Sequence, residues 1–324
     1  MLYAGSDDGV YRIEGINKPG EVTTEQVLES GRVYRVRRFD GLDGLFAASE
    51  SGLYYSASGT AWRDLCVPEA EVYSVVASPS GDRLYTGTRP ARVFVADTAG
   101  GIPSDEDDWR PLAGFEDLRE RSDWGIPRHG GKAQIRRLCT HPATPDRVVA
   151  GLEVGGVFLS DDRGNSWTAR HVEGFDVPHP DDVHHLTLGD SDTFVVSTGS
   201  GLFRSTDAGR TWARLDEGHP QWYFREAFVH DGVTYAGGAQ GPSPTWDEET
   251  DHALFERRNG QATESVETPV PDELAIGWCV AEDDVFAVTH RGTLLRRDPD
   301  EYRVVASVPT PGELRGRYLP LARE

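Results

Sequence analysis

The chain has 324 residues, with 54 Asp and Glu against 33 Lys and Arg, giving a formal net charge of -21. Hydrophobic residues are 37%, and the 36 glycines bring the apolar share to that of an ordinary globular chain, which excludes a disordered acidic polymer. No apolar run approaches the roughly 18 residues of a membrane helix, and the acidic field repels phosphate, so neither membrane nor nucleic acid is an expected partner.

The opening MLYAGSDDG has no basic-then-apolar leader. Cys66, Cys139 and Cys279 are too widely spaced for a disulfide framework or a clustered zinc site, and no cofactor is implied. The expectation is a soluble, reduced, cytoplasmic protein. Only Lys18 and Lys132 are lysines, leaving 31 arginines. Carboxylate excess with almost no lysine matches proteins from salt-accumulating halophiles, whose surfaces stay hydrated at high ionic strength; the alternative reading is an acidic mesophilic protein.

In chain order, one pattern recurs: two or three apolar residues, Ala or Ser, Gly, a short gap, Gly, then apolar and aromatic residues. It runs LYAGSDDGVYRI (Leu2–Ile13), LFAASESGLYYS (Leu45–Ser56), LYTGTRPARVFVA (Leu84–Ala96) and VVAGLEVGGVFLS (Val148–Ser160). It returns as FVVSTGSGLFRS (Phe194–Ser205), broken in Thr234–Arg258, and last as VFAVTHRGTLLRR (Val285–Arg297). Each copy predicts a hairpin with a tight glycine-bearing turn. A further alternating run precedes most copies (VYRVRRF, VYSVVAS, QIRRLCT, VHHLTL, YFREAFV, IGWCVAE), and a fourth follows many.

Four strands per unit at this spacing, without a convincing amphipathic helix, predict an all-β fold: a single seven-bladed β-propeller. The first unit lacks an inner strand, and Leu314–Ala322 is an orphan at the other end. The tail therefore completes blade one, Met1–Ser30, and hides both sheet edges. The other blades span approximately 31–70, 71–115, 134–171, 183–216, 223–268 and 274–310 of this one domain.

Near the start of the inner strands stand Tyr34, Tyr73, Arg136, His184, Arg225, Trp278 and, from the tail, Arg315 or Arg317. Arg35, Arg37, Arg38, Arg137 and His185 are their neighbours. Arginine forks with aromatic walls suit a carboxylate or phosphate, so an anionic small molecule, glycan or peptide is the expected ligand. The competing expectation pairs these arginines internally with Asp117, Asp181, Asp182 or Glu226. His129, His179 and His184 are weak metal candidates, because their spacing fits no metal motif and no metal is expected. The long insertions Glu116–Ala133, His171–Asp182, Asp216–Trp222 and Ala239–Asp251 all fall in loops that open on one face.

Ser205-Thr-Asp207-Ala-Gly209-Arg-Thr-Trp212 fits the pattern S-x-D-x-G-x-T-W, and Ser160-Asp-Asp162-Arg-Gly164-Asn-Ser-Trp167 fits it with Ser for Thr. Ser56–Trp62 is a degenerate copy and Asp107–Trp109 a remnant. The chain thus resembles the BNR/Asp-box propellers, which include sialidases, sortilin-type receptors and photosystem assembly factors. In that family the box is a folding turn. The resemblance implies a second functional reading, a sialidase-like hydrolase or lyase with Tyr34 or Tyr73 as nucleophile beside Glu226. The family's Arg-Ile-Pro motif is absent, and sialidases have six blades. A third reading is a protein–protein scaffold.

The composition generates a first prediction. At molar salt the Debye length falls to roughly 3 Å, so self-repulsion among the carboxylates is screened. The unfolding midpoint should rise steeply between dilute buffer and molar KCl. A flat or falling response removes the halophile reading.

Overall fold

The computed structural model describes residues 1–16, 21–120, 122, 124–125, 130–248 and 251–324. Period-two alternation gives each repeat two apolar faces, and each repeat becomes a four-stranded antiparallel meander. Seven such sheets are present among the described residues. Their inner strands are Leu321–Arg323, Val33–Phe39, Glu71–Ala77, Gln134–His141, Val183–Leu188, Tyr223–His230 and Ala275–Ala281. Each contacts the next around the ring, and Ala275–Ala281 contacts Leu321–Arg323. The fold is a seven-bladed β-propeller.

The core lies between blades. Phe46, Val75, Leu84 and Phe94 join blades two and three, while Val149, Leu159, Leu186 and Phe203 join four and five. Such an apolar cluster fills each of the seven interfaces. No blade can bury both faces without two neighbours. Closure is therefore a condition of stability.

Blade one closes the ring across the termini. Its strand order is Leu321–Arg323, Leu2–Gly5, Gly9–Glu14, Thr23–Glu29, with Leu2 opposite Arg323 and Ala4 opposite Leu321. The paired part of the tail is shorter than the expected Leu314–Ala322. Residues 314–320 instead cross the top of the channel, because Arg317 is tied to both ends of the seam. Its Nε donates to Asp7 at 2.9 Å and its Nη1 to the carbonyl of His290 at 2.9 Å. Gly277 is needed where the tail passes, since a Cβ there would sit 2.1 Å from the carbonyl of Leu319.

The two S-x-D-x-G segments fold as the same turn. The hydroxyl of Ser205 donates to Asp207 at 2.8 Å and accepts from Gly209 N–H at 2.8 Å. Ser160, Asp162 and Gly164 repeat both contacts at 2.8 Å. Gly164 and Gly209 have φ of +90° and +79°, a region costly for residues with a Cβ. The backbone N–H and hydroxyl of Thr211 hold the Asp207 carboxyl down to about 2. Trp167 packs against Phe115 and Trp212 against the cluster between blades four and five. Phe115 belongs to a short helix, Ala113–Glu120, which the strand periodicity did not announce.

These turns and the turns leaving the inner strands share one face, here called lower. The described parts of the four long insertions lie on the other, upper face, together with the crossing tail. Among the described residues no helix is long and apolar enough to cross a membrane.

Two predictions follow from the seam. Leu321 is fully buried between Leu2–Gly5 and blade seven, so Leu321→Ala should cost roughly 2–5 kcal/mol. Deleting Leu314–Glu324 should abolish cooperative thermal unfolding, and an unchanged melting temperature would overturn the closure.

A third concerns acid. His290 is fully buried, its Nδ1 accepts from Leu274 N–H at 2.9 Å, and burial pushes its pKa down to about 4. Below pH 6.5 the unfolded chain binds a proton that the folded chain refuses, so stability falls as pH drops toward 4 and then levels. The loss is about 3 kcal/mol from this group. His290→Asn keeps an acceptor for Leu274, and in molar salt it should flatten part of the slope between pH 6.5 and 4. Buried His185, also pushed down, keeps the remainder. Equal slopes in the two proteins would remove His290 from the account.

Candidate functional site

The upper channel mouth is built by one recurrent irregularity. In six inner strands the pairing register slips near the strand start. The slip falls between Val33 and Arg35, Val72 and Ser74, and Ile135 and Arg137. It recurs between Val183 and His185, Phe224 and Ala227, and Ala275 and Gly277. The extra residues are Tyr34, Tyr73, Arg136, His184, Arg225 with Glu226, and Ile276. A bulge leaves one residue unpaired and re-aims its side chain. Blade one has no such residue, and the crossing tail supplies Tyr318.

Five of these side chains meet, those of Tyr34, Tyr73, Arg136, Arg225 and Tyr318. Tyr34 and Tyr73 stack with centroids 3.9 Å apart, and Tyr318 stands edge-on to Tyr34 at 5.2 Å. The Arg225 guanidinium lies 4.0 Å from the Tyr318 ring centre, and Arg136 lies 5.2 Å from it. Cations over aromatic faces gain from the ring quadrupole, more so where water is excluded. The plug is tight: Arg225 is 4% exposed and Arg136 6%.

Pairing is uneven below the plug. Arg35 meets Glu226 at 3.5 Å, and Arg136 forms an ion pair with Glu153. Arg317 pairs with Asp7 and so serves the seam. Arg225 has no carboxylate partner among the described residues, donating only to the carbonyl of Arg317 at 3.2 Å. Burial, then Arg136, pushes its pKa down to about 10. Burial does the same to Arg35, whereas Glu226 opposes the shift. The Nε atoms of Arg136 and Arg225 and the hydroxyl of Tyr318 are buried without a hydrogen-bond partner among the described residues.

The other candidates separate. Glu226 contacts Arg35 and lies 3.8 Å from His185 Nε2, while the tyrosines face each other. Burial raises both phenols, with Tyr73 adding to the rise at Tyr34, and this opposes formation of a phenolate. His184 is buried, with Nδ1 2.9 Å from the carbonyl of Phe224 and Nε2 3.8 Å from Asp182. His179 lies apart, with Trp124, His171 and Asp181 around an upper-face cavity of about 590 Å³. His129 lies outside the described residues, and among those described no group of His, Cys, Asp or Glu fits a metal ion. Trp278 is two positions past the blade-seven bulge. It packs between blades six and seven and borders the lower mouth. Arg315 is exposed, and its carbonyl accepts from Arg32.

Sequence reasoning missed Tyr318, Glu153 and Asp7. Tyr318 directly follows Arg317, but reading the tail as a strand from Leu314 drew attention to the arginines. Glu153 ends the second strand of its blade, and Asp7 sits in the first hairpin turn. Neither position carries a signal until the blades are assembled.

No family model matches the chain. It is 26% identical to the xyloglucanase Xgh74A of Acetivibrio thermocellus over 153 residues, covering 41% of this chain and 17% of that protein. The chain therefore spans less than a fifth of that curated relative. Among solved structures it is similar to an ancestral GH74 enzyme with TM-score 0.61 and 15% identity, covering 90% of this chain and 38% of that one. It is similar to YCF48 bound to D1 peptide with TM-score 0.57 and 15% identity, covering 84% and 81%. At these identities the structural likenesses show the fold alone.

Proposed function

We propose that this chain is a cytoplasmic Asp-box propeller that binds an anionic group, carried by a glycan, a peptide segment or a small molecule, at the upper mouth. The observation that carries this reading is Arg225, a buried guanidinium with no carboxylate beside it. Burying an unpaired charge costs several kcal/mol, and three buried donors lacking acceptors raise that cost. An oxyanion among Arg225, Arg136 and Tyr318 would satisfy all three, with a bidentate fork available from either arginine. His184, Tyr34 and Tyr73 would wall the site. Arg317 would hold the tail in place, and Trp278 would buttress the blade behind it. The two matching S-x-D-x-G turns support the Asp-box assignment. Similarity to a protein named a xyloglucanase supports a glycan, and similarity to YCF48 bound to D1 peptide supports a peptide.

A hydrolase is the second reading, favoured by the xyloglucanase similarity. It would use Tyr34 or Tyr73 with Glu226, and it requires both that the tyrosine stack open and that Glu226 leave Arg35 for the phenol. Release of reducing ends from xyloglucan or sialosides would establish it.

The test is a thermal-shift screen of acidic sugars, dicarboxylates and phosphates in molar KCl, where a lone exposed Arg–anion contact is nearly worthless. At least one should raise the melting temperature, and Arg225→Ala should abolish that shift without unfolding the protein. Absence of any shift, or a shift that survives Arg225→Ala, would leave the scaffold reading ahead.

A further inference from the structure

At the opposite end of the channel the inner strands diverge around an open cavity of about 670 Å³. Its walls mix two chemistries. Arg37, Arg38 and Arg323 supply positive charge, and Phe39, Phe228 and Trp278 supply aromatic surface. Asp40, Asp43 and Glu324 also border it, yet none of the three arginines makes an ion pair among the described residues.

Two buried donors mark where a ligand's polar end belongs. Trp278 is 1% exposed, and its indole N–H has no hydrogen-bond partner among the described residues. The Nε of Arg37 is likewise buried and unpartnered. Arg37 is crowded by Arg35 and Arg137, and burial followed by these neighbours disfavours its charged form. Buried polar atoms in native structures nearly always find a partner, so two orphans bordering one open cavity are informative. The volume falls within the roughly 300–1,000 Å³ typical of small-molecule sites.

We propose that the lower mouth is a second, separate binding site for a small organic oxyanion, a carboxylate or phosphate carried on an aromatic or alkyl body. The oxyanion head accepts from Arg37 and the indole of Trp278. Arg38 and Arg323, both exposed, attract it from solvent. The apolar body lies against Phe39 and Phe228. Exposed Asp40, Asp43 and Glu324 disfavour polyanions, which would meet carboxylates at the entrance.

Calorimetric titration with phenyl phosphate, phenylacetate and inorganic phosphate in molar KCl tests the site. One of the two aromatic anions should bind saturably, at least tenfold tighter than inorganic phosphate. The preferred anion identifies the head group as phosphate or carboxylate. Arg323→Ala should weaken binding about tenfold, and Arg37→Ala should abolish it. Because truncating the enclosed Arg37 also threatens folding, a second variant is used: Trp278→Phe, which keeps the ring and removes the N–H, should weaken binding about tenfold by itself. Arg303→Ala, on the outer strand of blade seven, should bind as the parent does. Absence of saturable binding, or affinity unchanged in both Trp278→Phe and Arg323→Ala, overturns the proposal. Loss in Arg225→Ala with retention in Trp278→Phe also overturns it, by moving the ligand to the upper mouth.

Discussion

Everything in this molecule depends on one seam, the pairing of Leu321–Arg323 with Leu2–Gly5. A blade is a thin sheet with two apolar faces, and it is stable only between two others. Seven interfaces must therefore form together, and the seventh forms only if the two ends of the chain share a sheet. That requirement explains how few residues suffice. Three paired residues, the Arg317–Asp7 contact and the buried side chains of Leu319 and Leu321 fasten a ring whose other six interfaces are held by continuous chain. Contacts this distant in sequence make closure a late, cooperative event.

The seam also creates the candidate site. To reach Leu321 the tail must pass over the channel, and the passage lays Tyr318 beside Arg225 and Arg136. Bulges in six blades turn residues inward, and the tail stands in for the seventh. Structure and site are thus one construction, and a substitution at either is felt at the other.

The fold was legible because it is written seven times. Repeated hairpins, the two S-x-D-x-G turns, a first unit without an inner strand and an orphan strand in the tail specify a closed ring without any long-range guess. The site was legible in part for the same reason: Tyr34, Tyr73, Arg136, His184 and Arg225 stand at equivalent points in their strands. Trp278 shows the limit. Placing it at the ring position of blade seven needs the exact register, and Ile276 occupies the bulge there. A slip of two residues is invisible to alternation, which has period two. Asp7 and Glu153 were hidden for a different reason, since each meets its arginine only through assembly of the blades.

Charge is divided unevenly between the surface and the channel. The whole molecule carries a formal -21. Yet Arg35, Arg37, Arg136, Arg137 and Arg225 line the channel, where Glu153 and Glu226 are the carboxylates paired to them. Outside, dissolved salt screens the acidic field. Inside, the same charges lie among protein atoms and are screened far less, and burial above all lowers the pKa of Arg35 and of Arg225, with Arg136 adding to the fall at Arg225. The molecule thus carries a surface of one sign around a channel rich in the other. That asymmetry is costly to build and cannot arise from ring closure alone, since a propeller is stable with an apolar channel. Part of that cost is offset inside the ring, where Arg35 meets Glu226, Arg136 meets Glu153 and Arg317 meets Asp7.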